Sequence, residues 1–129
     1  MKKIIVLALG IMLLAAACNK SASPTTTDNS SSQTVQSGTA EIDITSAGFS
    51  PAAITVKSGT VVTFKNLDSA QHWPASNPHP THTDLPGFDA LKGLATGETY
   101  SFTFTQVGTW GFHDHLNPIE NHGSVTVVQ

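Results

Sequence analysis

Residues 108–123 read GTWGFHDHLNPIENHG, and the fold turns on how that stretch is read. Trp110 and Phe112 alternate with Gly111 and His113, the period of two that a half-buried strand shows. The strand then runs into Leu116-Asn117-Pro118, a polar break. Three of the six histidines, His113, His115 and His122, lie in this stretch. Residues two apart share a strand face and sit about 7 Å apart along it. The imidazoles of His113 and His115 can therefore reach one metal ion. The alternation also sets a constraint. If Trp110 and Phe112 face the core, Asp114 faces it too, and His113 and His115 face outward.

The same period recurs along the chain. Ile42 and Ile44 alternate with acidic and hydroxyl residues, and Gly48-Phe49-Ser50-Pro51 breaks that run. Ile54 and Val56, Val62 and Phe64, Tyr100, Phe102 and Phe104, and Val125 and Val127 repeat the pattern. Lys57-Ser58-Gly59-Thr60 and Asn66-Leu67-Asp68-Ser69 read as turns, the second with Asn and Asp placed to bond their own backbone. Short alternating strands between frequent turns predict an all-β sandwich or barrel. No segment shows a convincing helical period, apart from a short turn suggested near Asp89-Ala90-Leu91-Lys92. The exception to the strand pattern is residues 72–94, a Pro- and His-rich loop holding His72, His79 and His82. A loop this long inside a compact domain is usually functional or disordered. Its four prolines, Pro74, Pro78, Pro80 and Pro86, favour an ordered rim.

The amino terminus follows other rules. A basic start, Met1-Lys2-Lys3, precedes an apolar run from Ile4 to Ala17. This is an export signal, too short to span a bilayer. Leu14-Ala15-Ala16-Ala17-Cys18 resembles a bacterial lipobox, which implies cleavage before Cys18 and lipid on that residue. Asn19 after the cysteine then favours the outer membrane of a two-membrane cell. The expected organisation is a signal peptide over residues 1–17, a lipidated Cys18 with a Ser/Thr-rich tether over 18–39, and a folded domain over 40–129. A tether of about 20 flexible residues reaches on the order of 25 Å. The location expected is thus exported and lipid-anchored, at an outer-membrane or periplasmic face or at the cell surface. Cys18 is the single cysteine of the 129 residues, so no disulfide is expected. The net charge is −3, and from residue 40 onward the only cations are Lys57, Lys65 and Lys92. There is no basic patch to neutralise phosphates, which argues against a nucleic-acid partner.

Taken together, Gly48-Phe49-Ser50-Pro51, Ile54-Thr55-Val56-Lys57-Ser58-Gly59, Val62-Thr63-Phe64-Lys65-Asn66-Leu67-Asp68, His72, Phe102-Thr103-Phe104, Gly108-Thr109-Trp110-Gly111-Phe112 and Gly123-Ser124-Val125-Thr126-Val127 resemble the cupredoxins, across residues 41–128. The resemblance implies a Greek-key β-sandwich that binds copper through loops at one end. The usual ligands are a histidine before the long loop, then cysteine, histidine and often methionine on the last loop. His72 stands at the first position, but Asp114 stands at the cysteine, Asn117 at the second histidine and Asn121 near the methionine. A blue-copper centre requires a thiolate, so none is expected within this chain. His113-Asp114-His115 instead resembles the His-X-His motif of multicopper oxidase domains. There the histidines hold copper between domains, which would require a homo-oligomer here.

Two arrangements remain open. Asp114 joins His72 in a family-like site, or His113 and His115 form an outward site with His72 or another subunit. The preferred expectation is a mononuclear centre of His72, His113 and His115, with Asp114 as an orienting carboxylate or a ligand. His79, His82 and His122 are further candidates. Cu(II) is the first metal expected and Zn(II) the second, since both accept imidazole. Trp73 and Trp110 read as packing residues, and Asp84, Asp89 and Glu120 as solvated rim charges. No nucleophile elbow or phosphate loop is present, and a catalytic role is not favoured. The function expected is copper capture, storage or delivery at the cell envelope, with a redox or metallochaperone protein partner. The alternatives are electron transfer or a small non-blue copper oxidoreductase, and a metal-free interaction module.

Overall fold

A computed structural model describes residues 34–129; the expected signal peptide, Cys18 and most of the expected tether lie outside the described residues. Nine strands follow one another: β1 (Val35–Gln36), β2 (Thr39–Thr45), β3 (Gly48–Ser50), β4 (Ala53–Lys57), β5 (Thr60–Asn66), β6 (Pro74–Ser76), β7 (Thr99–Phe104), β8 (Gly108–Asp114) and β9 (His122–Val128). They form a five-stranded sheet, β1-β4-β9-β8-β6, and a four-stranded sheet, β3-β2-β5-β7. The described residues contain no helix, and they contain neither cysteine nor methionine.

The alternation seen in the sequence becomes burial. Ala40, Ile42 and Ile44 are buried on β2 while Thr39 and Glu41 are exposed. Val62 and Phe64 on β5, and Val125 and Val127 on β9, fill the space between the sheets. Phe64 lies 5.2 Å from Phe112 in an edge-to-face pair, and Phe49 lies 4.8 Å from Phe112 in another. Each such side chain contributes about 1.5–3 kcal/mol by leaving water. Phe112 also needs its neighbour on β9 to be glycine. A Cβ on Gly123 would meet the Phe112 ring at 2.2 Å and the Ala52 carbonyl oxygen at 2.6 Å.

Three features differ from the sequence expectation. Val35–Gln36, assigned to the tether, pairs in parallel with Thr55 and Val56 and extends the sheet edge. Gly48–Ser50 does break the run of β2, yet pairs back on it as the antiparallel strand β3. The turn near Asp89 is not helical: Asp89 bridges Ala75, and Leu91 has a φ of 61°.

The long loop is ordered because its own apolar residues reach the core. Phe88 is fully buried, 5.4 Å from Phe64, 5.2 Å from Phe104 and 5.8 Å from Phe112. Leu85 is buried beside it in the same core cluster. At the loop's start, β6 pairs with β8 through Pro74–Asp114, Ala75–His113 and Ser76–Phe112. The segment between, residues 77–84, is thereby tied to β8 at one end and to the core at the other.

Candidate metal centre

The end of β8 carries two groups of side chains on opposite faces. The first gathers around Asp114, which is buried. His72 Nδ1 donates to Asp114 Oδ2 at 2.7 Å, and His72 Nε2 donates to Asp68 Oδ2 at 3.0 Å. The backbone amides of Trp73 and Leu116 donate to Asp114 Oδ1 at 2.8 and 3.1 Å. Asn66 shapes the loop that presents Asp68. Its side chain donates to the carbonyls of Ala70 and Leu94 and accepts from the Asp68 amide, the Asx geometry its residue type predicts. Burial alone would lower the His72 pKa, but Asp114 and then Asp68 outweigh it, and the pKa is raised. Asp68 is held low, chiefly by its bond to His72. His72 is thus poised as an imidazolium between two carboxylates, with both ring nitrogens engaged as donors.

The second group lies on the other face, with Gly111 and His113. His113 is 1% exposed. Its Nδ1 lies 2.9 Å from Asn77 Oδ1, so Nδ1 carries the hydrogen. Its Nε2 is buried with no hydrogen-bond partner. Burial first, then the neighbouring histidines, push its pKa down to about 4. The ring is neutral and presents an unshared lone pair. His115 is lowered by burial first and then by His82 and His79, with Asp89 and Asp114 opposing. His79, His113 and His115 bring one ring nitrogen each to within 4.8 Å of the others. His82 approaches as well, its Nε2 2.9 Å from His115 Nδ1.

Local structure explains the gathering. Asn77 lies flat on β8 because Gly111 has no side chain; a Cβ there would meet Asn77 Nδ2 at 2.4 Å. The Asn77 amide also donates to the Gly111 carbonyl at 3.1 Å. Pro78 and His79 continue over the His113–His115 face. Trp73 closes one side, its indole 4.4 Å from the His115 ring.

The strand parity expected from Trp110 and Phe112 holds: Asp114 meets His72 on one side, and His113 and His115 lie on the other. The preferred grouping of His72 with His113 and His115 is not what the structure brings together. His72 is bound to Asp68 and Asp114 instead, and His79 takes its place beside the pair. His122 faces His113 across the β8–β9 ladder, but its side chain is exposed and outside the trio. Asp89, read as a rim charge, accepts from Trp73 Nε1 at 2.6 Å and from His82 Nδ1 at 2.7 Å. Trp110 packs partly against the core, as its residue type suggests.

The donor chemistry of the two groups decides where copper fits. Around Asp114 there is one imidazole, with both nitrogens donating to carboxylates, and asparagine at the remaining family positions. That set does not fit copper. The trio offers three imidazole nitrogens in a partly buried setting. Imidazole suits copper, and the absence of sulfur from the described residues leaves a nitrogen site.

Comparison with known proteins identifies the family. Among solved structures, the chain is similar to a novel purple cupredoxin from Nitrosopumilus maritimus, with 26% identity and a TM-score of 0.60 over 69% of this chain and 99% of that one. A reduced amicyanin variant matches at 28% identity and a TM-score of 0.59, over 70% of this chain and 83% of that one. A Cu-containing nitrite reductase from Thermus scotoductus shares the fold at 22% identity and a TM-score of 0.59, but this chain spans only 22% of it. No curated protein matches the sequence. The family model described as the cupredoxin-like domain matches residues 5–127, and the chain belongs to that family.

Proposed function

We propose that this protein captures, stores or delivers copper, held as Cu(II) by His79, His113 and His115. The observation that carries the reading is the buried, unpartnered Nε2 of His113, aimed at a place where two further imidazoles converge. A buried polar atom without a partner is costly, and a bound cation would satisfy it. The low pKa of His113 and the lowered one of His115 keep those rings in the form that coordinates metal. The lipobox-like sequence at Cys18 supports placing this activity at the cell envelope, with the domain tethered to a membrane.

A copper titration of the full chain, followed by electron paramagnetic resonance, tests the reading. Expected is stoichiometric Cu(II) with nitrogen hyperfine structure and no intense thiolate charge-transfer band. Replacing His113 and His115 together by alanine should abolish it. Unchanged copper affinity in that variant overturns the reading, as does preferential retention of Zn(II) over Cu(II). Family membership favours electron transfer as the second reading. Reversible reduction of the bound ion without its release would select it over delivery.

A further inference from the structure

We infer that His82 is a fourth metal ligand, and that Asp89 is the positioning residue that turns its Nε2 toward the ion. The inference deepens the copper reading and rests on it for the ligand role. The first observation is a distance. Two nitrogens each about 2.0 Å from one ion lie roughly 3 Å apart, and His82 Nε2 stands 2.9 Å from His115 Nδ1, a metal-free hydrogen bond in which His115 Nδ1 donates and whose proton an ion would displace. The His82 ring also lies 5.3 Å from the His113 ring and 6.5 Å from that of His79, which places it on the border of the trio.

The second observation is tautomeric. Asp89 Oδ2 accepts from His82 Nδ1 at 2.7 Å, so the hydrogen of the neutral ring sits on Nδ1 and the lone pair on Nε2. Asn77 does the same for His113. A carboxylate or carbonyl behind each imidazole is how proteins orient metal-binding histidines. Asp89 acts on a second ring too. Its Oδ1 accepts from Trp73 Nε1 at 2.6 Å, and the Trp73 indole rests against His115. The carboxylate is itself fixed: the Leu91 amide donates to Oδ1 at 2.8 Å, and the Asp89 amide donates to the Tyr100 hydroxyl at 3.0 Å. The third observation is backbone. His82 has a φ of 52°, a left-handed conformation that is uncommon for any residue but glycine. Such conformations persist where surrounding structure holds them and cluster at functional sites.

The test uses Asp89→Asn. Oδ1 keeps two donors, from Trp73 and Leu91, so the new amide group faces His82 Nδ1. A donor there favours the tautomer with hydrogen on Nε2, which cannot coordinate. Imidazole nitrogen NMR on the metal-free full chain should show His82 with hydrogen on Nδ1 in the wild type and on Nε2 in the variant. Copper affinity should fall about 10–100-fold, with the loss of one coupled imidazole in the resonance spectrum. Wild-type His82 with hydrogen on Nε2, or unchanged affinity and imidazole count in the variant, overturns the inference. If Asp89→Asn does not fold, His82→Gln carries the test, with the same loss expected and the same unchanged affinity overturning it. A wild type with the Nδ1 tautomer that binds no Cu(II) overturns the copper reading and the ligand role, while supporting Asp89 as the positioning residue.

Discussion

Asp114 and its two neighbours, His113 and His115, face opposite ways from the end of β8 and meet opposite chemistry. On the core side, His72 is clamped between Asp68 and Asp114 at 3.0 and 2.7 Å. On the outer side, His113 keeps a buried nitrogen with no partner. The first group is satisfied and closed, and the second leaves a buried nitrogen open. The lesson is that strand parity alone can set neighbouring residues at one strand end into opposite chemistry. The position where the family resemblance implies a copper ligand is here a charged latch joining the His72 and Leu116 segments.

That contrast can be broken from either side. The largest effect expected is on stability, from Asp114→Ala. It leaves His72 buried opposite a void and frees the amides of Trp73 and Leu116. Breaking a buried pair this way costs about 3–5 kcal/mol, readable by urea unfolding of the metal-free chain. The copper resonance of the remaining folded protein should keep its imidazole pattern. On the outer side, His113→Gln should weaken Cu(II) binding by on the order of 100-fold, about 2.7 kcal/mol, while His72→Gln should shift it by less than about threefold. Equal losses in the two variants would erase the distinction between the faces.

A smaller effect follows from Gly111→Ala. The new methyl group displaces Asn77, and overpacking of this kind costs about 1–3 kcal/mol. The copper site should loosen with it, whereas His72 should keep its bonds. The smallest effect is pH dependence of the latch. Because the folded pKa of His72 is raised, its stabilising contribution is full below the unfolded value of about 6.5 and fades as pH rises through the folded value. Asp68 is lowered, so its share is present above about 3.9 and fades as pH falls through its folded value. The stability difference between wild type and His72→Gln should therefore peak between those limits and shrink toward alkaline pH. A difference that grows with pH would contradict the ion-paired latch.

How much of this could be read from the residues alone depends on periodicity. Ile42, Ile44, Val62, Phe64, Val125 and Val127 announced their strands because alternation is local, and all six are buried. The same rule separated Asp114 from His113 and His115. It could not say what would cover the outer pair. That depends on Phe88 and Leu85, two apolar residues in a loop with no period, whose burial pins residues 77–84 to the sheet. Asp89 looked like a rim charge because nothing local pairs it with Trp73, sixteen residues away in sequence, or with His82. One signal was present. A glycine inside a strand often marks a close backbone approach, and Gly111 sits beside the histidines for that reason, with Asn77 against it.

The described domain contains no cysteine or methionine, and this has a bearing on durability. Sulfur side chains are where oxidants strike proteins most readily, through sulfenic acid or sulfoxide. Copper in the presence of a reductant and oxygen produces such oxidants beside its own ligands. A domain with nothing to convert to sulfoxide or sulfenate escapes that route of damage. On exposure of the copper-loaded protein to peroxide, mass spectrometry of the described region should find any added oxygen on Trp73 or the histidines around it, at the proposed site. The chemistry of wear would then map the site as plainly as its geometry does.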